Sequence, residues 1–566
     1  MIGSIAAFHV TVCFLTQLFH VFNYPVIFIL NIGFIVSLYY LSGGILNKKS
    51  WSVFKDNWFV FLVLVVIILQ LVSIRFSYTG PVQTMRGTTQ VENSNYPYPY
   101  FSDEWVNVSL IKYCISNHSL STVNPLYHDV SSPNILFIFT GTISEFFVLT
   151  GLDPLTAYAI LQMLVVLAIC ISFYILLRYY GISMYIAAVT VIGFMYITNS
   201  GNLPAMWSLL PVTLSALFLP WIILAQKHNM KIWAMVYSLF ALIIYPPMLV
   251  FVVPILGIEL YTLYVQKSKK EYMAYLIKLS GIGLGAFIVI FSVAFFHFHV
   301  SIGQFFSRYI VRSNLDFGIP DYSFWHVLPV LIILCSLCGI YVAYKKKYSE
   351  ILIPTVVGGI FWIMYLFTSK VFIIEYPRVV FITSIFLVVL AGFGIEYLVS
   401  ESIRRIHIVK VDAGMYRYVG MFILVLYVVL LATYPTQASW QGINSRFQDS
   451  QGSIHIIPPA NILNRYLQDD DMKIFKDIHE VNFISIPWKA LVVGSATHNF
   501  PLESKSSTIS SQIYSFAKFM NLNCAQKAEM AGTYKVAYVY SGPFSCPNFK
   551  EVTRSGEGFV LYSSTH

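Results

Sequence analysis

Residues 58–74 read WFVFLVLVVIILQLVSI, an apolar run without a charged side chain. A run of this length suits a helix that crosses the hydrocarbon core of a bilayer. Similar runs occur on both sides of it, and together they predict thirteen membrane spans, at residues 3–22, 25–46, 58–74, 155–178, 182–199, 206–225, 232–246, 248–265, 273–297, 326–344, 350–369, 377–399 and 416–434.

The composition supports the same conclusion. Of the 566 residues, 57% are hydrophobic and only 11% are charged, and the mean hydropathy is +0.69. These values indicate a multi-pass membrane protein, which we place in the plasma membrane. The net charge of +9 comes mostly from short loops between spans, where Lys and Arg report topology. It is therefore no sign of a nucleic-acid partner.

Residues 134–150 decide the topology. The segment is apolar enough to span, but it contains Glu145 and Gly141. If it lies along the membrane surface, most basic residues of short loops fall on one side, and the positive-inside rule makes that side cytoplasmic. We therefore expect a juxtamembrane helix at 134–150, a cytoplasmic N-terminus, and external loops at 75–154 and 298–325.

The chain changes character after residue 434. We divide it into a membrane domain, residues 1–434, and a small external α/β domain, residues 435–566, with strands predicted at 490–494, 536–540 and 559–562 and helical spacing at 508–522. Cys524 and Cys546 flank a predicted strand, and we expect their Cα atoms to lie within about 7 Å. The domain has no nucleophile elbow, phosphate loop or zinc pattern, so we interpret it as a structural or substrate-positioning cap.

One acidic pair, Asp103-Glu104, lies in the longest polar gap between spans, on a segment expected to be extended or a turn. Adjacent carboxylates there point in different directions, so one can act on a substrate while the other accepts structural hydrogen bonds. An ionised Asp at the membrane surface can serve as a general base. The alternative is a solvated pair of loop charges. The same gap carries Trp105, His128 and Asp129.

A second group of residues suits a phosphate. Arg308 and Arg312 would share a helix face at i,i+4 spacing, and guanidinium groups bind phosphate in bidentate geometry. Arg378 begins a span, where an Arg is costly unless it meets an anion, and Lys370 lies in the same short external loop. The alternatives are an ordinary basic loop, and an Arg378 that snorkels with Glu375 as its partner.

The sequence Ser102-Asp103-Glu104-Trp105 just after a span resembles the GT-C glycosyltransferases, polytopic enzymes that use lipid-phosphate-linked sugars. Protein O-mannosyltransferases and lipid A aminoarabinose transferases are examples. Ser132-Pro133-Asn134 before the juxtamembrane segment and the stretch 177–181 support the resemblance. It implies a GT-C-like fold with Asp103 and Glu104 as the catalytic pair. It also implies that the 298–325 loop helps to bind the lipid phosphate.

The resemblance also implies which sugar donor and which acceptor the protein would bind. The donor would be a polyprenyl or dolichyl monophosphate sugar, with its phosphate on Arg308, Arg312, Arg378 and Lys370. The acceptor would be a glycan, lipid or protein near Trp105, His128 and Asp129. The 199–205 loop has no Asp or Glu and the chain has no Trp-Trp pair, unlike metal-dependent oligosaccharyltransferases of similar layout. We therefore expect no metal ion or other cofactor.

Two other functions fit the same sequence. A transporter or flippase for a lipid-linked sugar would also need cations and a membrane groove, although no inverted repeat is visible and the span centres carry few ionisable residues. A non-catalytic membrane assembly protein is the third possibility. An enzyme requires Asp103 to face a cavity that is open to both lipid and external water.

Overall fold

The structure is a computed structural model. It describes residues 2–41, 57–100, 102–119, 126, 137–197, 205–265, 269–292, 311–313, 324–368, 370–405, 413–433, 446–448, 454–456, 466–504 and 515–565. A helix forms in each of the thirteen apolar runs. Five of the described helices are long and apolar enough, by length and composition, to cross a membrane. The chain is therefore a mostly helical, multi-pass membrane protein.

Apart from α4, which lies in the polar gap between spans, the helices before the tail follow the apolar segments of the sequence. They are α1 Ile2–Leu18, α2 Tyr24–Leu41, α3 Trp58–Phe76, α4 Ser102–Asn117, α5 Phe137–Thr150, α6 Pro154–Tyr179, α7 Met184–Ile192, α8 Pro211–Ala216, α9 Leu219–Lys227, α10 Lys231–Ile244, α11 Leu249–Val265, α12 Lys269–Ser292, α13 Phe324–Val327, α14 Val330–Lys345, α15 Ser349–Thr368, α16 Tyr376–Arg405 and α17 Ala413–Thr433. Within the segment 134–150, residues 137–150 form α5, a helix of 14 residues.

Prolines and short 3₁₀ turns interrupt the predicted spans. The pair Pro246-Pro247 lies in a 3₁₀ turn, Pro246–Met248, between α10 and α11, where the predicted spans 232–246 and 248–265 meet. The run 206–225 is not one helix, because Pro220 near the start of α9 has no N–H to continue α8. The run 182–199 forms α7 and then a 3₁₀ turn, Gly193–Tyr196.

The described chain divides into two compact units. The first contains residues 1–8, 34–74 and 162–459. Its closest helix packing joins α14 to α16, where Gly339 lies against the Leu390 carbonyl and Gly394 against that of Cys335, leaving no room for a Cβ. Small residues at such contacts let membrane helices approach closely. Elsewhere in this unit Glu259 of α11 pairs with Lys231 at 3.0 Å.

The second unit contains residues 9–33, 75–161 and 460–566. A hairpin of β1 Ser77–Thr84 and β2 Gly87–Asn95 precedes α4. The first unit holds two further strand pairs, β3 Val311–Ser313 with β4 Lys370–Phe372 and β5 Arg446–Gln448 with β6 Ile454–Ile456. The segment before α4 and the C-terminal tail thus belong to one compact unit, although the sequence separates them widely.

The tail forms a mixed sheet with helices. Its elements are α18 Asp469–Ile474, β7 Asn482–Ser485, α19 Pro487–Thr497, β8 Phe500–Pro501, α20 Phe516–Asn521, α21 Cys524–Thr533, β9 Val536–Ser541, β10 Phe549–Arg554 and β11 Val560–Ser564. The strand order is β10-β11-β9-β7-β8. Strands β10, β11 and β9 are antiparallel, while β7 runs parallel to both β8 and β9.

Most tail predictions hold. The predicted strands at 536–540 and 559–562 correspond to β9 and β11, and Cys524 and Cys546 form a disulfide with a Cα separation of 5.3 Å, as expected. The strand predicted at 490–494 is wrong, because these residues lie in α19. Pro487 starts that helix, and its residues are buried on every side, so no helical period is visible. Of the predicted 508–522 helix, residues 508–514 lie outside the described residues and 516–521 form α20.

A charged group lies in the core of the tail. Lys489 Nζ lies 2.6 Å from Asp471 Oδ2 and 2.6 Å from Glu557 Oε2, with Lys489 and Asp471 fully buried. The Tyr540 hydroxyl donates to Asp471 Oδ1 at 2.6 Å. One ammonium thus faces two carboxylates, and burial raises the pKa of Glu557 to about 7. We call Asp471, Lys489 and Glu557 the buried triad.

Candidate functional site

The acidic pair lies in the first turn of α4, where negative charge is favourable beside the helix N-terminus. The expectation of an extended or turn segment is therefore wrong, although residues one apart on a helix still point in different directions. The two carboxylates differ sharply in environment. Asp103 is exposed, whereas Glu104 is 0% exposed.

Glu104 is held by two donors. Arg75 Nη2 donates to Glu104 Oε2 at 3.3 Å, and both side chains are fully buried. The backbone N–H of Tyr100 donates to the same oxygen at 2.8 Å. The Arg75 guanidinium also lies 4.4 Å from the centre of the Tyr100 ring. Glu104 thus connects the last turn of α3 to the first turn of α4.

Aromatic rings support this turn. Tyr96 stacks on Tyr100 at 5.5 Å between ring centres and on Tyr466 of the tail at 5.1 Å. The N–H of Leu467 donates to the Tyr96 hydroxyl at 3.1 Å. Burial raises the pKa of Tyr96 and Tyr100, so both hydroxyls stay neutral. The run Tyr96-Pro-Tyr-Pro-Tyr100 was the signal in the sequence that could have indicated this cluster.

Three other residues, Trp105, His128 and Asp129, were predicted to bind the acceptor. Trp105 is 0% exposed and belongs to the core of the second unit. His128 and Asp129 lie outside the described residues. On the next turn Asn107 is also buried, and its amide donates to the Tyr158 hydroxyl at 3.1 Å. Of the side chains expected to meet the acceptor, the structure therefore describes Trp105 alone, as a core residue.

Helix α4 also packs on the tail domain through α19. Lys112 Nζ donates to the carbonyl of Ala496 at 2.9 Å, near the C-terminal end of α19. A cation at this position binds a helix carbonyl that lacks an intrahelical partner. It also interacts favourably with the negative end of the helix dipole. Burial lowers the pKa of Lys112. The tail domain thus contacts the helix that carries Asp103, a contact that the sequence did not indicate.

The predicted phosphate ligands belong to the first unit. Arg312 lies in β3 opposite Val371, and Lys370 lies in β4 opposite Ser313. The backbones of these two segments, which are far apart in sequence, therefore lie side by side. The expectation that Arg312 shares a helix face with Arg308 is wrong, because a strand has no such i,i+4 face. Arg308 lies outside the described residues.

Arg378 lies in the first turn of α16. Its Nε is 3.6 Å from Glu375 Oε2, three residues earlier, which is the ion pair that the sequence offered as an alternative. Its side chain is 16% exposed. Ile373, in the turn between β4 and α16, has φ of 63°, a conformation that is unusual for a β-branched residue.

The structure therefore describes the predicted residues in two groups. Asp103, Glu104 and Trp105 lie in the second unit, and Arg312, Lys370 and Arg378 lie in the first. Their meeting across one cavity stays a prediction. Among the described residues, no three His, Cys, Asp or Glu side chains come together as ligands for a metal ion.

This chain shows only limited similarity to known proteins. No family model matches the chain, and no curated protein matches it. Among solved structures, the Archaeoglobus fulgidus oligosaccharyltransferase in complex with Zn and sulfate is similar over 89% of this chain and 73% of that chain, with 13% identity and a TM-score of 0.43.

Two further structures of the Archaeoglobus fulgidus enzyme are also similar. The form tethered through a disulfide to an acceptor peptide with the NVT sequon has 12% identity and a TM-score of 0.39, over 87% and 70% of the two chains. The apo form has 14% identity and a TM-score of 0.39, over 86% and 70%. Values at this level assign neither a family nor an activity to the chain.

Proposed function

We propose that this protein is a GT-C-type glycosyltransferase. It would move a sugar from a polyprenyl or dolichyl monophosphate to an acceptor at the external face of the plasma membrane, with the N-terminus cytoplasmic and the tail external. The observation that carries the proposal is the contrast within one helical turn. Asp103 is exposed, while Glu104 beside it is buried and bound to Arg75.

This contrast separates two roles. Glu104 is already occupied by Arg75 and the Tyr100 N–H, so we assign it to holding the turn and not to chemistry. Asp103 then stands on a helix whose start is fixed by buried bonds. Catalytic groups on rigid elements hold the precise geometry that a reaction needs.

The reaction would be a single displacement. An acceptor hydroxyl attacks C1 of the sugar from the face opposite the phosphate, and its proton passes to the Asp103 carboxylate. The bond between C1 and the phosphate oxygen breaks, and the lipid phosphate leaves with the bonding electrons. The anomeric centre is inverted. A positioned base of this kind contributes about 10²–10⁴-fold in rate.

The leaving phosphate needs cations. The strand pair β3–β4 brings the backbones of Arg312 and Lys370 together, and Arg378 begins the helix that follows β4. We propose that these residues and Arg308 bind the donor phosphate, for which guanidinium groups are suited. Glu375 would exchange its contact with Arg378 for solvent when the phosphate binds.

The test is genetic and chemical. Cells lacking the protein are complemented with the wild type, with Asp103→Asn, or with Asp477→Asn, a control that alters another exposed carboxylate of the second unit. Mass spectrometry of surface glycans and glycolipids should show the missing sugar restored by the wild type and the control, but not by Asp103→Asn. Native mass spectrometry should show that Asp103→Asn still binds the lipid donor.

Restoration of the sugar by Asp103→Asn would contradict the proposal. So would an unchanged set of glycans and glycolipids in cells that lack the protein.

A further inference from the structure

Glu145 is an acidic residue that takes no part in the proposed reaction. It lies in the apolar helix α5 and is 2% exposed. A buried carboxylate in an apolar helix is costly unless donors surround it. Its position therefore requires an explanation that the proposed reaction does not supply.

The donors come from the first residues of the chain. We define residues 9–33, the parts of α1 and α2 in the second unit, as the N-terminal hairpin. His9 Nδ1 lies 3.1 Å from both Glu145 oxygens. The Cys13 thiol donates to Oε2 at 2.7 Å, and the Asn31 amide donates to Oε1 at 2.7 Å. One carboxylate thus joins both helices of the hairpin to α5.

Further contacts strengthen this joint. The Gln17 amide donates to the Gly141 carbonyl at 2.9 Å, in a buried position one turn before Glu145. Phe22 and Ile27 of the hairpin are fully buried and pack against Val148 and Leu149 of α5. The hairpin and α5 therefore share a polar centre and an apolar flank.

The same hairpin holds the far end of α4. His118, just beyond the end of α4, donates through Nδ1 to the Phe22 carbonyl at 2.8 Å. Helix α4 itself packs on α5. The hairpin thus contacts both members of the helix pair that carries Asp103.

We propose that the N-terminal hairpin braces α4 and α5, and that Glu145 is a positioning residue for Asp103. The link to Asp103 rests on the proposed function. The brace acts through helix placement, since Glu145 belongs to α5 and Asp103 to α4. A small displacement of a catalytic group is enough to lower turnover by about tenfold or more.

The first test measures the helices directly. Hydrogen exchange is followed by mass spectrometry on the full-length protein in detergent micelles, for the wild type and Glu145→Gln. The Gln amide turns one acceptor into a donor that faces other donors. Exchange in α4 and α5 should therefore become about tenfold faster, while strand β9 of the tail stays unchanged.

Control variants distinguish loss of the brace from general misfolding of the protein. Glu145→Gln combined with Asn31→Asp exchanges acceptor and donor, and this pair should recover wild-type protection in α4. His118→Ala removes the second contact and should speed exchange at the end of α4 alone. Glu259→Gln breaks an ion pair of the first unit and should leave α4 unchanged.

The second test measures sugar transfer with donor and acceptor extracted from the cells. Glu145→Gln should lower kcat about tenfold with little change in KM for the donor, and the exchanged pair should restore kcat. Unchanged exchange in α4 for both Glu145→Gln and His118→Ala would overturn the brace, whatever the activity. Activity retained by Asp103→Asn would instead overturn the proposed function and leave the brace standing.

Discussion

Replacing Glu557 by Gln should stabilise the tail domain at alkaline pH. In the buried triad, Lys489 faces two carboxylates, so one negative charge is in excess when both are ionised. Burial raises the pKa of Glu557 from its ordinary 4.5 to about 7. The folded domain therefore prefers Glu557 protonated, whereas the unfolded chain releases the proton at lower pH.

The sign and size follow from linkage. The stabilising contribution is complete below about pH 4.5 and is lost as pH rises through about 7. The rise in pKa corresponds to about 3 kcal/mol by pH 8. Gln stays neutral at every pH, so the free energy of unfolding of Glu557→Gln should exceed that of the wild type by up to about 3 kcal/mol at pH 8. Near pH 4 the two proteins should be alike.

The assay is hydrogen exchange of β9 and β11 in the full-length protein, measured in micelles at pH 5 and pH 8 and corrected for the intrinsic rate. Glu551→Gln is the control, because Glu551 pairs with Arg554 on the exposed side of the same sheet and should leave protection unchanged. Lower protection of Glu557→Gln than of the wild type at pH 8 would refute the reasoning, since it would show an ionised, favourably paired Glu557.

Further predictions concern the site and the membrane. Arg75→Met leaves Glu104 buried without its cation and should destabilise the second unit by about 3–5 kcal/mol in thermal unfolding, while Arg554→Met should not. Lys112→Met should increase exchange at the end of α19, with Lys112→Arg nearer to the wild type; equal exchange in both would exclude the contact. Single cysteines near residues 90 and 500 should react with an impermeant reagent from outside, and one near 346 should not; labelling at 346 would reverse the topology. Transfer should survive EDTA, and a loss restored by Mg²⁺ or Mn²⁺ would indicate a different donor class.

The membrane helices were predictable because lipid leaves the backbone few choices. An apolar run of sufficient length must satisfy its hydrogen bonds within itself, so the run at 58–74 and α3 agree closely. The breaks were harder to predict. Pro246-Pro247 indicates a turn by itself, but Pro220 ends a helix only in combination with its neighbours.

The tail shows where local pattern fails. Residues 490–494 read as a strand because Leu, Val and Val are adjacent, yet they form a helix that is buried on all sides. Burial erases the polar face on which a helical prediction depends. The strand β7 is short and fully buried as well. Its parallel pairing with β8 and β9, and not its local sequence, identifies it as a strand.

The sequence predicted where the candidate site lies, but not that Asp103 and Glu104 have different environments. The acidic pair stood out because charge is rare in this sequence. Nothing local distinguishes Asp103 from Glu104, since the difference comes from Arg75, twenty-nine residues before Glu104. The contacts of His118 with Phe22 and of Lys112 with Ala496 are also long-range, so no sequence window contains both partners.

The Cys524–Cys546 disulfide has a consequence for where the tail can mature. Reducing agents of the cytosol keep thiols unpaired, whereas disulfides persist in oxidising compartments. If the tail is external, as proposed above, this disulfide would form only after export. A cell deprived of that oxidation would accumulate a chain whose helices are inserted but whose α21 is not joined to the segment before β10.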